Sequence, residues 1–170
     1  MIKELDKDFT SLNEYISQLN PSKIFILVDE NTHNHCLPIL LPNLETDAPF
    51  EVIEIEAGEE NKNIGTATQL WEIFSEMEAD RKSLLINLGG GVVTDLGGFV
   101  ASTYKRGIRF INLPTTLLAM CDASIGGKTG IDHQYLKNVI RTFALREAIL
   151  FYPKVLDTPQ FDELRSGFAE

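Results

Sequence analysis

The segment that most limits what this chain can become runs from Ser83 to Thr103. A mainly apolar run of strand length, Ser83 to Leu88, leads into Gly89, Gly90 and Gly91, and Val92 to Thr103 then sets apolar and small residues at helical spacing. That order predicts a strand, a tight turn and a helix. Glycines at such a junction allow positive φ and let a ligand approach the main chain where a Cβ would otherwise stand. The start of the helix presents unpaired N–H groups and the positive end of its dipole, which favours a phosphate. The unit predicts a cradle for a nucleotide or a phosphate.

Two familiar patterns stop short here. Gly89 and Gly91 open a G-x-G-x-x-G fingerprint, but Thr94 stands at its third glycine. Gly127, Lys128 and Thr129 resemble the end of a P-loop, yet that pattern needs glycine where Asp122 stands, and no apolar strand leads directly into it.

The flanking segments predict an α/β domain. Lys23 to Val28 is a continuous apolar run, as suits a strand buried on both faces of a parallel sheet. Phe50 to Ile55 alternates apolar and acidic residues, which places it nearer the sheet edge. Ile108 to Leu113, stopped by Pro114, and Ala148 to Tyr152 are the remaining strands, and Thr129 to Asp132 is extended. Helices are predicted over Asp8 to Leu19, Thr32 to Leu41, Asn63 to Glu78 and Leu117 to Ala123, with a last one beginning near Asp157 and running to the end. At 170 residues and 44% hydrophobic content the chain is one ordinary domain, long enough to bury about 70% of its unfolded surface.

A net charge of −10 argues against nucleic acid or an anionic membrane as partner. An anionic substrate would then need local cations, and Lys105, Arg106, Arg109, Lys128 and Lys137 are expected to supply them. Cys36 and Cys121 form no C-x-x-C pair and no disulfide framework, so the cytoplasm is the default compartment. No apolar run approaches the roughly 18 residues of a membrane span. His33 and His35, two apart, cannot face one ion from a helix, and they and His133 are read as surface residues. Several further side chains have two readings. Asp29 caps a helix or accepts from a ribose at a strand end. Glu59 and Lys62 form either a solvated pair or a ligand contact, and Trp71 is core.

The stretches GGGVVTDLGGFVASTYKRGIRF and LPTTLLAMCDASIGGKTGID, the pair Lys137-Asn138 and the final SGFAE resemble the 3-dehydroquinate synthase family in order and without gaps. Sugar phosphate cyclases and iron-type polyol dehydrogenases share the glycine-rich turn. The resemblance implies a Rossmann-like, mostly parallel sheet with flanking helices. It also implies conversion of 3-deoxy-D-arabino-heptulosonate 7-phosphate to 3-dehydroquinate and phosphate, with NAD recycled and a divalent metal, zinc or cobalt. By resemblance the cofactor is held by Asp29, Gly58, Glu59, Lys62, Gly90, Gly91, Val92, Asp95, Thr115, Thr116, Leu118, Lys128, Lys137 and Thr158. Arg106, Asp122, Lys128 and Lys137 serve the substrate, Asp122 beside Lys128, and Glu170 is the metal ligand. The resemblance implies a homodimer for the full-length protein. Residues 1–170 would form its NAD-binding domain, ending inside the first helix of an all-helical metal and substrate domain, as in an isolated domain or truncated gene product. The chain alone would lack activity. It departs from the family at Ala123, commonly serine, across Arg141 to Arg146, and at Asp157-Thr158-Pro159.

Overall fold

The computed structural model describes residues 2–5, 8–123, 128–134, 136–143 and 148–152. Its strands are β1 (Ile2–Glu4), β2 (Ile24–Asp29), β3 (Phe50–Ile55), β4 (Leu84–Gly89), β5 (Arg109–Pro114), β6 (Lys128–His133), β7 (Leu136–Phe143) and β8 (Ala148–Phe151). Six of them form one sheet in the order β1-β8-β5-β4-β2-β3, with every pairing parallel. This is the Rossmann-like α/β architecture expected. The helices are α1 (Thr10–Leu19), α2 (Glu30–His35), α3 (Leu37–Leu40), α4 (Ile64–Glu76) and α5 (Gly91–Thr103). No helix among the described residues is long and apolar enough to cross a membrane.

The apolar runs are explained by burial on both faces. Along β2 and β4, alternate side chains enter two separate cores. Ile24, Ile26, Leu84 and Ile86 pack with Leu12 and Ile16 of α1. Phe25, Leu27 and Leu85 pack with Leu70 and Phe74 of α4 and with Val93 and Leu96 of α5. β3 lies at the sheet edge, where its alternating acids Glu51 and Glu54 reach solvent and pair with Lys23 and His33.

Helix α5 is enclosed from two sides. Its inner side meets β4 and β5, and its outer side meets a hairpin made by β6 and β7, which pair antiparallel apart from the main sheet. Two adjacent glycines make this possible. A Cβ on Gly97 would overlap the amide oxygen of Asn87 from the sheet, and one on Gly98 would overlap Thr129 from the hairpin. The hairpin is further tied down by hydroxyls: Thr142 Oγ1 lies 2.7 Å from both Ser102 Oγ and Thr129 Oγ1.

The structure corrects the sequence reading in four places. The helix expected over Thr32 to Leu41 starts at Glu30, because Asp29 caps it, and it breaks at Cys36, where φ is −109°. Pro38 then sits in the first turn of α3, where a missing N–H costs little. The polar stretch around Lys137 is the eight-residue strand β7. The three-residue β1, not anticipated, adds to the sheet beside β8. Lastly, Gly90 has φ −74°, and the positive-φ glycines among the described residues are Gly58 and Gly107. The glycines of the turn are needed for space: a Cβ on Gly89 would stand 2.5 Å from Val93 Cβ.

These contacts separate two kinds of glycine on one helix. Gly98→Ala should lose about 1–3 kcal/mol in urea unfolding, from overpacking against the hairpin. Gly91→Ala, whose Cβ would meet none of the described residues within 4 Å, should stay within about 1 kcal/mol of the parent. Equal losses would mean that α5 is not clamped as described.

Candidate functional site

The carboxyl ends of β2, β4 and β5 bring together most of the described residues singled out from sequence. At the end of β4, Gly90 is the N-cap of α5 and offers no side-chain cap, so the first N–H groups of the helix face outward uncapped by it. Thr94, at the missing third glycine, is fully buried. Its hydroxyl donates to Gly90 O at 3.1 Å and to Gly91 O at 3.2 Å. Where the fingerprint has a third glycine, this chain holds the turn from inside with a hydroxyl.

Across the gap, β5 ends in Pro114, and Thr115 N–H donates to Gly89 O at 3.0 Å. This bond fixes Thr115 and Thr116 beside the glycine turn. A Cβ on Gly90 would lie 3.2 Å from Thr116 Cγ2, whereas one on Gly91 would meet no described residue within 4 Å. The Thr116 hydroxyl also accepts from Ala119 N–H at 3.2 Å, so starting the next turn is one of its roles. Leu118, 38% exposed, lies on that turn, and Val92 is half-buried beside Gly91.

The second half of the site is a buried ammonium. After β3, Gly58 takes φ 118° and a single turn, Glu59 to Asn61, delivers Lys62 inward. Lys62 is only 3% exposed. Lysines are almost never buried unpaired, and this one has three carboxylates around Nζ. Glu59 Oε1 is at 2.8 Å, Asp95 Oδ2 at 3.6 Å and Asp132 Oδ1 at 3.8 Å. Lys137 Nζ, 75% exposed on β7, reaches the same Glu59 oxygen at 3.8 Å. The solvated-pair reading of Glu59 and Lys62 therefore fails on the lysine side. Asp95 sits in the second turn of α5, where the helix dipole and Lys62 both favour its charge.

Asp29 does what a cap does: Oδ1 accepts from Thr32 N–H at 2.8 Å and from the Thr32 hydroxyl at 2.9 Å. Its other carboxylate oxygen has no partner among the described residues, so the ribose reading keeps an atom to act with. Nearby, burial and then the charge of Asp29 push the Cys36 thiol up to about 11, which leaves it inert.

The expected cluster of five cations does not form. Lys105 and Arg106 lie just past the far end of α5, and Arg109 begins β5 at the amino end of the strands. Thirteen helical residues separate them from Gly91 by about 20 Å. Lys105 Nζ donates to Ala79 O at 2.7 Å, and Arg109 donates to Leu19 O and Lys82 O at 2.9 and 3.0 Å. Arg106 is exposed at that far end with φ 70°. Within its own chain Arg106 does not reach the glycine turn. Lys128 begins β6, and Asp122 lies in the short turn Ala119–Ala123. Their side chains, with the expected ion pair between them, and all of Thr158 and Glu170 lie outside the described residues.

His33 pairs with Glu54 and His133 is exposed. Among the described residues no cluster of three His, Cys, Asp or Glu could hold a metal ion. Trp71 is partly buried against the core and donates to Val100 O at 3.3 Å. Asp132 is the residue that sequence reading missed. Its signal was faint: one carboxylate ending an extended segment, five residues before Lys137.

Comparison with known proteins gives the family and agrees with the fold. The profile of the 3-dehydroquinate synthase N-terminal family matches residues 52–166. A curated 3-dehydroquinate synthase of Parabacteroides distasonis is 43% identical over 165 residues, covering 96% of this chain and 46% of that protein. One from Pyrococcus furiosus is 43% identical over 163 residues, covering 96% and 48%. The chain thus spans about half the length of the curated relatives it matches. Among solved structures, 2-epi-5-epi-valiolone synthase from Streptomyces hygroscopicus, with NAD+ and Zn2+ bound, superposes with a TM-score of 0.88 at 28% identity, covering 99% of this chain and 47% of that one. A 2-deoxy-scyllo-inosose synthase reaches the same TM-score at 22% identity, covering 98% and 45%, a likeness of fold.

The buried ammonium makes a direct prediction. Lys62→Ala leaves three partly buried carboxylates facing one another, and urea unfolding should show a loss of about 2–3 kcal/mol, below the loss for a wholly buried pair because the acids keep some solvent. Lys137→Ala, at an exposed pair, should cost about 0–1 kcal/mol. A Lys62 variant as stable as the parent would contradict the burial described.

Proposed function

Because the chain belongs to the 3-dehydroquinate synthase family, we propose that it holds NAD across the carboxyl ends of β2, β4 and β5. The enzyme it serves would convert 3-deoxy-D-arabino-heptulosonate 7-phosphate to 3-dehydroquinate and phosphate, a carbon–oxygen lyase reaction on the route to aromatic compounds. The observation that carries the reading is the open start of α5. Gly91 leaves space where a pyrophosphate can meet the helix N–H groups, with Thr115 and Thr116 across the gap. The NAD+ in the structural relative at 28% identity supports the same choice of cofactor.

In this reading each side chain has a task set by its charge and position. The second carboxylate oxygen of Asp29 and the Glu59 carboxylate accept from ribose hydroxyls. Asp95, at the second turn of α5, receives the riboside nearest the reacting ring. Lys62 holds Glu59 and Asp95 in place and offsets their repulsion, and Gly58, Val92 and Leu118 shape the walls. NAD held there would supply reversible hydride removal at a substrate hydroxyl, making the adjacent proton acidic enough for phosphate to be eliminated. Lys137, the exposed cation at the mouth, is placed to meet an anionic substrate, and Asp122 and Lys128 join it by family resemblance. Arg106 stands apart from this set, and its removal should leave NAD affinity unchanged.

A divalent metal enters the proposal through the zinc of the structural relative and the family assignment of Glu170. No described residues form a site that fits it, so no step here is drawn through it. Thr158 as a cofactor contact rests on the family alone. We also propose a cytoplasmic homodimer, and no turnover from this chain by itself, since it covers 46% of the relative it matches at 43% identity.

Titration calorimetry of the 170-residue chain with NAD tests the reading. Measurable binding is expected, with Gly91→Ala at least about tenfold weaker, roughly 1.4 kcal/mol, because its Cβ enters the space kept for the pyrophosphate. No binding by the parent chain, or equal binding by both, would overturn it. Phosphate release from the heptulosonate phosphate should be undetectable with this chain; release would refute the proposed inactivity.

A further inference from the structure

Asp132 is bound to three parts of the site at once. Its backbone N–H donates to Lys62 O at 2.7 Å, extending a parallel bridge between Asn63 and Asp132. Its Oδ1 stands 3.8 Å from Lys62 Nζ and accepts the backbone N–H of Asn138 at 2.6 Å. The carboxylate is 16% exposed. It spans the short end of the hairpin, where the β6–β7 register shifts between Ile131 and His133. Asn138 has φ 50°, a left-handed conformation that costs an L-residue energy unless its surroundings hold it. A charged acceptor on its N–H is such a restraint. The neighbouring residue is Lys137, whose ammonium meets Glu59.

We propose that Asp132 is a positioning residue that latches the Lys137–Asn138 bend of the hairpin to the Glu59–Lys62 turn. Through it Lys62 and Lys137 converge on one Glu59 carboxylate, and the wall of the cleft carrying Lys137 is fixed to the wall carrying Lys62. The consequence for ligand binding rests on the reading above, in which Glu59 and Lys62 hold NAD. The latch itself is a property of the chain without ligand. It differs from simple neutralisation of Lys62, which Glu59 and Asp95 already serve.

Two substitutions separate the roles. Asp132→Asn keeps an oxygen for the Asn138 N–H but loses the charge, while Asp132→Ala loses both. By amide hydrogen exchange, Asp132→Ala should accelerate exchange at Asn138 at least about tenfold, the scale of a lost hydrogen bond to a charged group, with β4 and β5 unchanged. Asp132→Asn should stay within about threefold of the parent at Asn138, since the acceptor remains. NAD affinity should follow the same order, falling most in Asp132→Ala. The latch is refuted if Asn138 exchange does not respond to Asp132→Ala, or if both variants shift it equally, as a purely electrostatic role requires. Should Asp132→Ala not fold, Asp132→Asn decides alone: near-parental Asn138 exchange upholds the latch, and a tenfold acceleration defeats it. If the parent chain binds no NAD, the cofactor reading falls while the exchange result still judges the latch. If exchange behaves as expected but NAD affinity is the same in both variants and the parent, the latch stands and its bearing on binding is overturned.

Discussion

The close approach of α5 to the sheet on one side and to the hairpin on the other sets the geometry on which the site depends. Neither approach survives a Cβ at Gly97 or Gly98. With the helix held between Asn87 and Thr129, its N-terminus has one position, directly above the carboxyl ends of β4 and β5. Thr94 then ties the turn down from within through its two carbonyl contacts. The open space at Gly91 is therefore fixed by packing some distance away.

The second constraint is electrostatic. In a chain of net charge −10, three carboxylates gathered at a strand end would repel one another and any phosphate. Lys62, buried among them, removes that repulsion at the cost of its own hydration, a cost met only because three acids surround it. The same ammonium joins the turn after β3 to α5 and to the hairpin. Side chains from three separate stretches, at 59–62, 95 and 132–138, are thereby assembled into one wall.

Much of this architecture was legible in the sequence for a physical reason. Strands buried on both faces read as unbroken apolar runs, so β2 and β4 stood out, and β3 showed the alternation of an edge strand. Glycine at a strand–helix junction marked the cradle, although space at Gly89, and not positive φ, is what demanded it. What escaped notice had weak local signals. β1 has three residues, and β7 carries exposed apolar side chains, Leu136 at 63% and Val139 at 50%, that do not alternate as half-buried strands do. Lys105, Arg106 and Arg109 looked close to the glycine turn because sequence distance hides the length of α5. Asp132 was overlooked because its importance comes entirely from partners 6 to 70 residues away along the chain, at Asn138 and Lys62.

The central claim is that the carboxyl edge of the sheet is one dinucleotide site built on α5 and Lys62. Backbone NMR of the chain titrated with NAD tests it most directly. Shifts should concentrate at Gly90, Gly91, Thr115, Thr116, Glu59 and Lys62, with the amino ends of the strands around Arg109 silent. Shifts concentrated instead in the polar groove between α1 and residues 45–49, with the glycine turn unmoved, would contradict it.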